Sequence, residues 1–125
     1  MSENAAKDQL PGGEVLVDFE WLRECTDNDT DAIKSLLDLY FDRTAKLLGE
    51  LDVAIASGRA EEVRRLGHAC SGTSGTCGMV KLAPLFKELE RIGATGTVDG
   101  AAAIATAVRS EFSLAKSFAD GTVLG

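Results

Sequence analysis

The stretch "LGHACSGTSGTCGM", Leu66 to Met79, decides how this chain is read. It carries the sole histidine, His68, and four glycines, Gly67, Gly72, Gly75 and Gly78, between segments of helical period. At about 100° per residue, Val63, Leu66, Cys70, Thr73 and Cys77 fall on one seam of a helix over residues 60–77, and that seam is expected to face a core. His68 lies about 200° round the helix from Leu66 and is expected to point outward. Gly72 and Gly75 follow it at i+4 and i+7, on the same outward stripe. Each interior glycine weakens a helix by about 1 kcal/mol relative to alanine. A stripe without side chains lets another macromolecule come close to the imidazole. The plainer alternatives are an ordinary surface histidine, and glycines that end a helix or let helices pack closely. Gly78 is expected to break the chain between two helices.

Working outward, nearly every segment has helical period. Val17 to Cys25 reads as a short helix, with Phe19 and Leu22 three apart and Trp21 and Cys25 four apart. The stretch "TDNDTD" interrupts it and offers Asn28 or Asp29 as the next N-cap. A long helix then runs to about Ser57 with one wide stripe: Ile33, Leu36, Leu37, Tyr40, Phe41, Thr44, Leu47, Leu48, Leu51 and Ile55. Gly58 suits its C-terminus. After the histidine helix comes "VKLAPLFKELERIG", with Leu82, Leu85, Phe86, Leu89 and Ile92 as its stripe and Gly93 as its expected stop. Pro84 is tolerable only in the first turn, which puts the start near Val80 to Ala83. "VDGAAAIATAVRSEFSLAKSFA" is the last helix, with Val98, Ala101, Ile104, Ala105, Val108, Phe112, Ala115 and Phe118 inward. No alternating strand pattern appears; "VLV" at 15–17 is too short. The expectation is an all-α fold: an antiparallel up-down-up-down four-helix bundle over residues 15–119, with a short extra N-terminal helix. Another all-α arrangement is the alternative. Residues 1–13, ending in Pro-Gly-Gly, read as a disordered lead, and 120–125 as a flexible tail.

The composition narrows the function. A chain of 125 residues fits one domain able to bury a core, and 45% apolar with 26% charged residues fits a soluble globular protein. A net charge of -7 without a basic stripe argues against nucleic acid or an anionic membrane as partner. No apolar run is long enough to span a bilayer, and no apolar signal-peptide core is visible, so a cytoplasmic location is expected. The three cysteines, Cys25, Cys70 and Cys77, form no Cys-x-x-Cys pair and are expected to be buried free thiols. Cys70 and Cys77, seven apart on one helix, are separated by about 10 Å, too far for a disulfide.

A lone outward histidine limits the chemistry. A metal needs more ligands than one imidazole supplies. A triad with Ser71 or Ser74 lacks a pocket and an oxyanion hole. General acid–base catalysis needs a cleft, which a filled bundle is not expected to offer. Nucleophilic capture of a transferable group remains. An imidazole is largely neutral at pH 7 and has a free ring nitrogen, and it needs no pocket if a partner brings the metal and the catalytic groups.

At these residues the chain resembles the histidine-containing phosphotransfer (HPt) domain family of two-component phosphorelays. The family pattern is His-x-Leu-Lys-Gly-Ser-Ser, a few residues, an apolar residue and Gly, then an apolar helix closing in Leu-Glu. Here it reads "HACSGTSGTCGM" followed by "LAPLFKELERIG", and the likeness covers roughly Val15 to Ala119. The resemblance implies that His68 is the phosphorylated histidine. It further implies that Gly72 admits a receiver domain, that Thr73 and Ser74 are the small-residue pair, and that Glu90 is a polar position able to hydrogen-bond the imidazole. Cys70 stands where Leu is usual. Ser71 stands where the family usually has Lys, whose charge helps to hold the phosphoryl oxygens; Arg64 and Arg65, at i-4 and i-3 from His68, are candidates to supply it, unless they simply pair with Glu61 and Glu62. The docking face is expected to be His68, Gly72, Gly75 and their apolar neighbours. The expected function is a phosphoryl carrier. His68 takes the group from a receiver-domain aspartate or a hybrid histidine kinase and passes it to another receiver. No cofactor is expected on this chain, and Mg²⁺ belongs to the partner's acidic pocket. No kinase or Walker signature is present, so no ATP-dependent kinase activity of its own is expected. A closed bundle suggests a monomer. Two rivals stay open: a degenerate relative that binds receivers or kinases without carrying phosphate, and an enzyme of unrelated chemistry on a helical scaffold.

Overall fold

The computed structural model describes residues 16–121. The expected disordered lead and most of the expected tail lie outside the described residues. Five helices and no strand occur among the described residues: α1 Phe19–Cys25, α2 Thr30–Ala56, α3 Ala60–Thr76, α4 Leu82–Ala94 and α5 Ala101–Ala119. Helices α2 to α5 form the antiparallel four-helix bundle: each packs on the next in sequence, and α5 closes back on α2. Helix α1 rests against α2. No helix among the described residues is long and apolar enough to cross a membrane.

Local chemistry sets the ends of these helices. Asp29 is the N-cap of α2 and accepts a hydrogen bond from the backbone N–H of Ala32 at 3.0 Å. Asp27 and Asn28, both at positive φ, make the turn before it. Pro84 is the third residue of α4, where its missing N–H removes nothing from the helix ladder. Gly78, at φ +74°, breaks the chain after α3, and its carbonyl accepts from the backbone N–H of Asp18 at 2.8 Å. That contact ties the lead into α1 to the end of α3.

The α2 stripe is buried as the period requires, with Leu36, Leu47 and Ile55 half-buried at its margins and Ala54 added to it. In α5, Ile104, Phe112 and Phe118 are half-buried against the core, and Val98 lies before the helix begins. In α1 only Phe19 and Leu22 are buried. A seven-residue helix lying on a bundle covers one face, so Trp21 and Cys25 are exposed, and the expectation that all three thiols are buried fails at Cys25. Cys70 and Cys77 are buried free thiols; burial pushes Cys70 up to about 11 and raises Cys77 as well.

Two further expectations are corrected by packing. The buried residue on the α3 seam is Ser74, while Thr73 is exposed. The reason is a buried hydrogen bond of 2.7 Å between the Ser74 hydroxyl and the Tyr40 phenol of α2. Burial also raises the Tyr40 phenol well above its ordinary value. Tyr40→Phe is therefore expected to cost about 1–2 kcal/mol by stranding the Ser74 hydroxyl, read as a lower urea midpoint. Adding Ser74→Ala should recover most of the loss; if it does not, the bond contributes little to stability.

Gly93 is not the end of α4. It is buried inside the helix, and the chain turns instead at Gly96, φ +86°. A Cβ on Gly93 would lie 2.5 Å from the Ala60 carbonyl oxygen and 2.5 Å from the Arg64 nitrogen. A Cβ on Gly67 would lie 2.6 Å from the Glu90 nitrogen and 2.8 Å from the Phe86 carbonyl oxygen. These two glycines, one on each helix, bring the α3 and α4 backbones into direct contact.

Candidate functional site

His68 projects from the middle of α3 with 68% of its side chain exposed. The outward stripe read from the helical period holds because the seam opposite it, Val63, Leu66 and Cys70, is buried. The ring is not free on both sides. Its Nδ1 lies 3.0 Å from Oε2 of Glu90, whose side chain is only 23% exposed. A carboxylate can only accept, so Nδ1 must carry the hydrogen and donate it. This leaves the Nε2 lone pair on the opposite edge of the ring, and Nε2 makes no hydrogen bond among the described residues.

Gly67 is what puts Glu90 within reach. The absence of a Cβ next to His68 lets the α4 backbone press against α3 at Glu90 itself. The other Glu90 oxygen, Oε1, is shielded from solvent and has no hydrogen-bond partner among the described residues; Lys87 Nζ stands 3.6 Å away, close enough for an ion pair only.

Gly72 and Gly75 behave differently from Gly67. Both are exposed, and a Cβ on either would meet nothing within 4 Å. Nothing among the described residues requires glycine at either position, and the bare stripe beside His68 faces outward. The remaining candidates are turned elsewhere. The Ser71 hydroxyl donates to the His68 carbonyl oxygen at 2.9 Å, within its own helix. Arg64 donates from Nε to both Glu61 oxygens, at 3.0 and 2.9 Å, and Arg65 pairs with Glu62. Both guanidiniums thus turn one helical turn back from His68, and these pairings lower Glu61 and Glu62 below the usual carboxylate range.

The bundle also has a cleft, contrary to the filled surface expected from sequence. A groove of about 460 Å³ runs between α2 and α3. Leu36, Leu39 and Leu47 form one wall, and His68, Ala69 and Gly72 form the other. It exists because small residues on α3 stand opposite large apolar residues on α2. Leu39 is 56% exposed there and continues the apolar lining of Leu36 and Leu47. Sequence reasoning missed the groove, and with it Leu39 and Arg43 on its α2 wall. It also missed Gly67, whose signal was its place next to Leu66 on the inward side rather than on the outward stripe.

Fold and site together define a class: a four-helix bundle that presents one imidazole, oriented by a carboxylate, next to a bare helix surface and an apolar groove. The Hpt domain family model matches residues 35–118, most of the chain, and the chain belongs to the Hpt domain family. That family implies a role in phosphotransfer within two-component systems, in which such domains meet receiver domains and kinases. Neither a curated protein nor a solved structure matches the chain.

Proposed function

We propose that this chain is a phosphoryl carrier in which His68 accepts a phosphoryl group from a receiver-domain aspartate, or from a hybrid kinase, and passes it to a second receiver. The observation that carries the reading is the exposed His68 ring bonded through Nδ1 to Glu90. The Nε2 lone pair attacks phosphorus while the bond to the aspartyl oxygen breaks, its electron pair returning to that carboxylate. No proton has to move. The ring keeps its hydrogen on Nδ1 and becomes a phosphorylated imidazolium, and the Glu90 carboxylate faces the positive charge that appears. Transfer onward is the same step reversed. The partner's acidic pocket holds the Mg²⁺ that neutralises the phosphoryl oxygens during transfer.

The groove and the bare stripe are the face on which a receiver settles. Gly72→Gln tests the need for clearance with two opposite signs. Removing an interior glycine should raise stability by up to about 1 kcal/mol. The added side chain should slow transfer about tenfold, equivalent to about 1.4 kcal/mol of barrier. Stopped reactions with a phosphorylated receiver measure the second effect, and an unchanged rate would contradict the clearance argument.

The deciding experiment incubates the chain with a panel of phosphorylated receiver domains and follows acid-labile, base-stable label. Label appearing on the chain from at least one receiver is the expected result. Receivers that bind the chain yet leave it unlabelled would overturn the carrier reading in favour of a binding module that carries no phosphate.

A further inference from the structure

A phosphoryl group on Nε2 brings close to two negative charges, and the cations nearest to His68 in sequence are committed elsewhere. Arg64 and Arg65 pair with Glu61 and Glu62. Lys87 is paired with Glu90, the residue that holds Nδ1 of the ring. Ser71 contributes a hydroxyl that is already donated to the backbone.

Arg43 is placed differently. It lines the same groove as His68 and Gly72, from the α2 side. It is exposed and enters no ion pair or side-chain hydrogen bond among the described residues. Its level along the bundle follows from the bond between Tyr40 and Ser74, which fixes the register of two antiparallel helices. Three residues forward from Tyr40 is Arg43, and three residues back from Ser74 is Ser71, one turn from His68. At 1.5 Å per residue, Arg43 stands across the groove within about 5 Å, along the axis, of the level of His68. Gly72 sets no side chain between them.

We propose that Arg43 is the residue that binds the phosphoryl oxygens of the group held on His68 Nε2, reaching across the groove from α2. A guanidinium suits this task because its planar fork can donate to two oxygens at once. The proposal rests on His68 as the phosphoryl carrier. It places the anion between two helices, with Glu90 holding the ring from a third.

The test uses phosphoramidate, which loads an accessible histidine without any partner protein. Arg43→Gln is expected to slow loading of His68 about fivefold. Arg43→Lys should retain most of the rate, and adding Ser71→Lys to Arg43→Gln should restore it by setting a cation on the α3 side. Lys34→Gln, the same charge change on the same helix but outside the groove, should have no effect. In the wild type, the Arg43 Nε–H resonance should shift when His68 is phosphorylated, a signal that a merely structural arginine would not produce. Equal loading by wild type and Arg43→Gln, or an unmoved Arg43 resonance, overturns the proposal. A chain that loads from phosphoramidate but takes nothing from phosphorylated receivers overturns the relay reading, while the two Arg43 signals still decide this one. A His68 that does not load at all overturns both.

Discussion

His68→Gln is expected to reduce phosphoryl label on the chain to background while leaving the bundle as stable as before. The imidazole is the group for which the fold supplies an orienting carboxylate and an open nitrogen lone pair. A glutamine amide can still donate to Glu90, but its nitrogen lone pair is delocalised into the carbonyl and is no nucleophile. The ring is mostly exposed and packs on nothing in the core, so the change should stay within about 0.5 kcal/mol. Two measurements belong together: incorporation from a phosphorylated receiver, and a urea unfolding curve. Label that persists on the folded variant would mean that another residue carries the group, and the assignment of His68 would be wrong.

Gly67→Ala should have the opposite profile, a large loss of stability from a single methyl group. The new Cβ would stand 2.6 Å from the Glu90 nitrogen and 2.8 Å from the Phe86 carbonyl oxygen, and both are backbone atoms that cannot swing aside. The two helices must separate, and the cost expected for such overpacking is about 3 kcal/mol. For a domain of this size that lowers Tm by more than about 10 °C. The separation also draws Glu90 away from Nδ1, so phosphoryl transfer at a temperature where the variant is folded should fall as well. Gly72→Ala is the comparison. The same substitution five residues along the same helix meets nothing within 4 Å and should stabilise by about 1 kcal/mol. If both variants melt alike, α3 and α4 do not touch at Gly67, and the account given for the placement of Glu90 fails with it.

These two glycines show where sequence reading reaches its limit. Within a single helix, residue type and spacing settle a good deal. The α2 stripe, a cap at Asn28 or Asp29, the start of α4 next to Pro84 and the outward direction of His68 all follow from period and capping, and the structure has each of them, with Asp29 as the cap. Neighbouring positions about 100° apart are harder to tell apart. Thr73 and Ser74 are both small and polar, and only the Tyr40 phenol across the interface selects Ser74 for burial. The same holds for Trp21 and Cys25, which have core-like chemistry yet stay exposed, the Trp21 indole N–H donating to the Thr76 carbonyl oxygen at the end of α3.

By itself, then, the sequence determined that the chain is helical, most of the stripe that each long helix buries, and that its one histidine faces out. Only the tertiary structure decided that Gly67 and Gly93 are contact points between helices and that a groove opens beside the ring, and it gave the bond to Glu90 that the resemblance had implied. The reason is physical: helical period is a property of one segment, whereas the distance at which two segments meet depends on the side chains, or their absence, on both.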